Sequence, residues 1–374
     1  MVQESRLVDL FLELLAFNAP ARQEKPIVAF TKALLESEGF SVREDNAAAA
    51  IGGNANNLIV HLPGTEPTAP RVFLSAHFDT VEPTENLVVS EVDGIFRSAG
   101  NTILGADDRC GVAAAIEALR CLRDSGEPHG DVFLLLSVAE EIGLLGAKQV
   151  PIEELNLDFG FILDTGPPVG TFVTRAAWHD KLEITVHGRP AHAGKEPELG
   201  IDAIATAAKA ISEMRLGRLG PETTANIGLI TGGTATNVVP AKVTVIAEAR
   251  STNETELENQ IDHMIQCFVS AANSSGAEVS VHHHRHYAGY VIDPDRTVVR
   301  VAEAASRSLG LNPDHRVTLG GSDGNIYNAR RLPCVVLATG MDHIHTHAEQ
   351  ISRADLVLTA KIALECLLQS ARVR

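Results

Sequence analysis

Residues Asp131 to Gly143, DVFLLLSVAEEIG, set two consecutive carboxylates, Glu140 and Glu141, just past an unbroken apolar run from Val132 to Leu136. Such a run, with no polar alternation, reads as a strand buried on both faces. Strands of that kind belong to parallel sheets covered by helices, and ligands there bind beyond the carboxyl ends of the strands. Two acids at that place call for a counter-charge, because buried carboxylates repel one another and resist ionising.

The same pattern recurs along the chain. Arg71 to Ala76 is an apolar strand running into His77-Phe78-Asp79, and FGFILDTG is another, ending on Asp164. LGADDRCGVAAAIEALRCL reads as a glycine turn opening a helix, with Asp107 and Asp108 at its start. PCVVLATG is followed by the cluster DHIHTHAE. Strands alternating with helices predict a doubly wound α/β fold with a mostly parallel sheet.

From about Ala177 the texture changes to alternating strands and two helices in the order β-α-β-β-α-β, the ferredoxin-like arrangement. The expected organisation is therefore a catalytic domain from residues 1–176 and 292–374, interrupted by an inserted α+β domain at 177–291. The stretch between Asp79 and Leu104 reads as a polar loop.

Composition narrows the function. Forty-eight acidic against 31 basic residues leave a formal net charge of −17, which argues against nucleic acid or anionic membranes as partners. Aromatic residues, at 4%, leave little for stacking bases. No stretch is apolar and long enough to span a bilayer. The first residues, MVQESRLVDLFLELLAF, space their apolar side chains helically between acids, so no signal peptide is expected. Cys110, Cys121, Cys267, Cys334 and Cys366 form no C-x-x-C pair and read as reduced, buried thiols of a cytoplasmic protein. No G-x-G-x-x-G follows a strand, which argues against a dinucleotide-binding oxidoreductase.

His77 and Asp79, two apart on a strand, share a face and can reach one ligand; imidazole with carboxylate suits zinc, manganese or cobalt. Taken in order, AHFDT, GADDRCG, AEEIG, LDTG and IHTHAE resemble the motifs of the M20 metallopeptidases over nearly the full length. The GADD spelling is most similar to the peptidase T, or tripeptidase, branch. The resemblance implies two divalent ions, usually zinc with cobalt or manganese as alternatives, sharing a bridging aspartate and a bridging water. It implies His77, Asp107, Glu141, Asp164 and His345 as metal ligands, Asp107 being the bridge, and Glu140 as general base acting on that water. Asp79 would orient His77 through its far nitrogen.

His345 is chosen over His343 and His347 because the family histidine stands four residues before a Glu, here Glu349. Asp108 is left as a cap of the following helix, and Arg109 stands where the family usually has Lys. In the insert, the resemblance makes His192 of GRPAHAG the group that stabilises the oxyanion, often across a dimer interface. It makes Asn237 and Arg250 holders of the substrate carboxylate, and Gly321 of GGSDGN part of the substrate pocket. Without the resemblance, His192 is a turn histidine, Arg250 a strand-end charge and Gly321 a glycine turn, and those readings stand beside the others. His282, His283, His284 and His286 read as a solvated strand.

The function implied is a dinuclear metal-dependent exopeptidase of the aminopeptidase or tripeptidase type. It would act on short peptides, as a cytoplasmic homodimer joined through the inserted lid domain. The alternative is an amidohydrolase, deacylase or carboxypeptidase acting on N-acyl amino acids or other small amides. A non-catalytic binding protein is disfavoured because base and ligands are all present.

Overall fold

A computed structural model of the chain describes residues 1–373. The chain forms two compact units, one comprising Met1–Thr174, Val291–Val317 and Ser322–Arg374, the other Arg175–Tyr290 and Thr318–Gly321. In the first, four strands lie side by side and parallel, in the order Val132–Ser137, Val72–His77, Phe159–Thr165 and Cys334–Ala338. Every residue of Val72–His77 and Val132–Ser137 is buried, as expected of strands covered on both faces. Leu58–Leu62 and Thr171–Ala176 pair antiparallel at the two sides of this parallel core.

The helix Ala106–Ser125 packs on Val72–His77 and on the helix Arg353–Ser370. Its run Ala113-Ala114-Ala115 is fully buried, and these small side chains allow close approach. Gly111 has a stricter requirement, since a Cβ there would stand 2.3 Å from Asp108 Oδ1 and 2.4 Å from the Leu163 carbonyl oxygen. The four parallel strands therefore point their carboxyl ends, with His77, the Glu140–Glu141 turn, Asp164 and the loop carrying His345, toward one place.

The second unit orders its main strands Thr223–Gly232, Lys242–Ser251, Trp178–His187 and Glu278–Tyr287, all antiparallel. Two helices, Ala203–Ser212 and Glu254–Ser275, pack on that sheet, which is the ferredoxin-like arrangement. Its core is built from alternate strand residues, among them Leu182, Ile184, Val186, Val243 and Val245.

Between Asp79 and Leu104 the structure differs from the polar loop expected from the sequence: it holds a hairpin, Val89–Val92 and Ile95–Ser98, to which Gln350–Ser352 adds a third strand. It turns through Asp93 and Gly94, at φ +53° and +74°, so the Asp-Gly turn signal was present. Its strands are only partly buried and carry no apolar run, which hid them. All five cysteines are buried and unpaired, and among the described residues no helix is long and apolar enough to cross a membrane.

Candidate metal centre

His77 closes its strand with Nε2 directed at carboxylates, 3.3 Å from Asp107 Oδ1 and 4.0 Å from Asp164 Oδ1. His345 brings its Nε2 to 3.2 Å from Asp107 Oδ2 and 3.1 Å from Glu141 Oε1. Asp107 thus offers one oxygen to each histidine. Two donor sets result, His77 with Asp107 and Asp164, and Asp107 with Glu141 and His345, the donor atoms within each lying within 4.8 Å of one another. Of the three clustered histidines only His345 joins these acids: His343 pairs with Asp342 and His347 with Glu82, both exposed.

Local structure accounts for the aim of each group. Asp107 and Asp108 leave helical geometry at the start of their helix. Glu349 accepts the N–H groups of Gly105 at 2.6 Å and Asp107 at 2.9 Å, fixing that turn. Asp108 spends its oxygens on main-chain donors, accepting the N–H of His77 and that of Gly111, each at 3.2 Å. Asp79 accepts the N–H of Glu140 at 3.0 Å and of Glu141 at 3.1 Å. Its main-chain oxygen lies 3.1 Å from His77 Nδ1, and its Oδ1 lies 3.5 Å away. The far nitrogen of His77 therefore meets Asp79 chiefly through its carbonyl, while the carboxylate serves the Glu140–Glu141 turn.

The electrostatics are those of a crowded anionic site. Burial, with the charges of Asp164, Asp323 and Glu141, pushes Glu140 well above the ordinary carboxylate range against the opposing pull of His77. Burial and Asp107 do the same to Asp164. For Asp107 burial is overcome by the neighbouring imidazoles of His345 and His77, which hold its carboxyl below the usual range. Asp107 and Glu141 beside it raise His345 to about 10. Carboxyls pushed up beside imidazoles that are pushed up as well mark a cluster short of positive charge.

Asp107 Oδ1 is buried and has no hydrogen-bond partner among the described residues. An orphaned carboxylate oxygen between imidazole and carboxylate donors is what a divalent ion would satisfy, and the donor set fits zinc, manganese or cobalt. The residues present fit a pair of such ions.

Three further groups near the site carry no motif that marks them as participants. Glu349, four residues after His345 in the sequence, holds the Gly105–Asp107 turn. Asp323, inside GGSDGN, is buried and accepts the Ser137 hydroxyl; burial pushes it up to about 6. Arg109, fully buried with no hydrogen-bond partner for its guanidinium among the described residues, is pushed down to about 10 by burial. No local pattern distinguishes any of them from surface charges.

The remaining candidates lie in the second unit. Arg250 donates from Nε and Nη2 to Glu248, both at 3.2 Å, and from Nη1 to the Leu319 carbonyl at 3.2 Å. Glu248, drawn down to about 2 by His179 and Arg250, has His179 Nε2 at 2.9 Å. His192 is exposed, its Nδ1 accepting the Gly194 N–H at 3.1 Å, and Asn237 is exposed. Gly321 abuts Tyr287 so closely that a Cβ would stand 2.4 Å from the ring. His283, half exposed, pairs with the buried Asp180 at 2.8 Å, and His282 and His284 are exposed.

Known proteins share this architecture. The sequence model of Peptidase family M20/M25/M40 matches residues 73–369. The YqjE protein of Bacillus subtilis strain 168 is 37% identical over 372 residues, covering 100% of both chains. A tripeptidase from Staphylococcus aureus subsp. aureus Mu50 superposes with a TM-score of 0.94 at 38% identity, with full coverage of both chains (100%). The aminopeptidase PepT from Bacillus cereus ATCC 10987 does so with a TM-score of 0.90 at 37% identity and 99% coverage of each.

Proposed function

The chain belongs to peptidase family M20/M25/M40, and from that premise we propose that it is a two-metal exopeptidase removing N-terminal residues from tripeptides and similar short peptides. The observation that carries the reading is Asp107, buried, with one carboxylate oxygen beside each of two histidines. His77 and Asp164 would hold one ion, Glu141 and His345 the other, and Asp107 both. Zinc suits the donors, with cobalt and manganese as alternatives. When bound, the ions supply Lewis acidity toward the scissile carbonyl and toward water.

The residues of the chain divide the remaining work. Glu141 is committed to the cation by its place beside His345. Glu140, its neighbour, is buried among Asp164 and Asp323 charges that raise its proton affinity. A carboxylate so placed can take a proton from water on Oε and return it to the departing amine. In the second unit, Arg250 and Asn237 would hold the peptide carboxylate, Gly321 would belong to the loop lining the substrate pocket, and His192 would stabilise the oxyanion.

Exposed Leu229 and Ile230, on a strand whose outer edge is paired only at Thr223–Ala225, support a homodimer through this unit, the proposed lid and dimerisation domain. Five buried, unpaired cysteines support a reducing compartment such as the cytoplasm. The likeness to a tripeptidase and to PepT favours peptides over N-acyl amino acids. Assay of a tripeptide series against N-acetyl amino acids, with added zinc, cobalt or manganese, tests the reading. Turnover of tripeptides is expected, and activity confined to the acylated set would overturn it in favour of a deacylase.

A further inference from the structure

Past the end of the strand Val132–Ser137 the chain leaves the sheet, so the next four amide N–H groups lose their ladder partners. Each nonetheless has a side-chain acceptor. Val138 donates to Asn57 Oδ1 at 2.9 Å, Ala139 to Glu24 Oε1 at 2.9 Å, Glu140 to Asp79 Oδ1 at 3.0 Å and Glu141 to Asp79 Oδ2 at 3.1 Å. Asn57, Glu24 and Asp79 are all fully buried and come from three separate stretches of chain. Asn57 also donates to the Gly146 carbonyl at 2.9 Å, tying down the far end of the turn.

Within this grip Ala139 sits at φ +52°, a conformation a residue with a Cβ adopts only when its surroundings impose it. If Ala139 returned to negative φ, the Cα–Cβ directions of Glu140 and Glu141 would swing together. Glu24 is the acceptor that holds this residue. It lies just before the helix Lys25–Ser37, and the same Oε1 also accepts the Arg22 N–H at 2.8 Å. Its Oε2 is buried with no hydrogen-bond partner among the described residues. Burial, with the charge of Asp79, pushes its carboxyl up to about 7. Burying an acid with one oxygen unpartnered is costly, so the oxygen aimed at Ala139 is what an acid or amide at this position provides.

We infer that Glu24 is a positioning residue for the reaction: by holding the Ala139 amide it fixes the divergence of Glu140 toward water and Glu141 toward the cation. The inference rests on the proposed role of Glu140 and extends it to a residue outside every sequence motif. It requires an acceptor oxygen at position 24 and no charge. Glu24→Met keeps the length and volume without an acceptor, Glu24→Gln keeps the acceptor, and Glu24→Asp keeps the charge but withdraws the oxygen by one methylene.

The experiment combines hydrogen exchange of the 138–141 amides in metal-free protein with kcat and KM of the zinc-loaded enzyme. In Glu24→Met, exchange at Ala139 should rise and kcat fall, each about tenfold or more, with KM within about threefold of wild type. Glu24→Gln should behave as wild type in both readouts, and Glu24→Asp as Glu24→Met should the latter fail to fold. Protection unchanged in Glu24→Met, or Glu24→Gln as impaired as Glu24→Met, would overturn the inference. Loss of protection with kcat unchanged would overturn its catalytic part. Glu140→Gln, measured alongside, tells failure of the underlying reading apart, because the exchange data do not depend on turnover.

Discussion

Gly111→Ala sets helix propensity against packing. Gly111 lies inside the helix Ala106–Ser125, where propensity alone would favour alanine by about 1 kcal/mol. The added methyl would stand 2.3 Å from Asp108 Oδ1 and 2.4 Å from the Leu163 oxygen, where ordinary contact begins at 3.4 Å, so it is about 1 Å too close on both sides. Neither neighbour can yield cheaply. Asp108 is held by the His77 and Gly111 N–H groups, and Leu163 belongs to a buried parallel strand. Overpacking of this kind costs about 1–3 kcal/mol, and loosening the buried bond to His77 about as much again. With the helix gain of about 1 kcal/mol subtracted, a net loss of about 1–5 kcal/mol is expected. Urea unfolding of metal-free protein measures it, and metal affinity should weaken too, because His77 and Asp164 flank the displaced groups. A Gly111→Ala protein as stable as wild type, or more stable, would refute the packing argument.

The pH dependence of the metal-free fold has a definite sign. Glu24 and Glu349, both pushed up from 4.5 to about 7 with burial the largest cause, hold protons in the fold that the unfolded chain has released. Stability should therefore fall as pH rises between about 4.5 and 7, by up to about 3 kcal/mol for each acid. Urea midpoints at pH 5 and pH 8 should show Glu24→Gln with the shallower fall, and a slope identical to wild type would contradict this. Arg250→Ala should raise KM for tripeptides enough to lower kcat/KM about 10- to 100-fold while leaving metal content alone; an unchanged KM would return Arg250 to a strand-end charge. Leu229→Glu should shift a dimer to monomer in sedimentation velocity, and a wild-type monomer would remove the proposed interface.

Much of this was legible in the sequence because burial on both faces of a parallel strand enforces an unbroken apolar run. The runs before His77, Glu140 and Asp164 mark both the strands and the titratable groups that follow them. The strand order and the gathering of His345 with Glu141, 204 residues apart, needed the fold. The hairpin at Val89–Ser98 was hidden because partly exposed strands carry no apolar run. Glu24, Asn57 and Glu349 were invisible as site residues for a different reason. Their work is to accept main-chain N–H groups from remote segments, and main-chain donors leave no mark on the sequence.

The most direct test of the central claim is metal stoichiometry measured together with turnover, in wild type and in Glu140→Gln. Two equivalents of divalent metal per chain are expected in both proteins, with kcat in the variant reduced about 10²- to 10⁴-fold, as for loss of a general base. A wild-type protein that binds no more than one ion, or a Glu140→Gln enzyme that turns over at the wild-type rate, would contradict it.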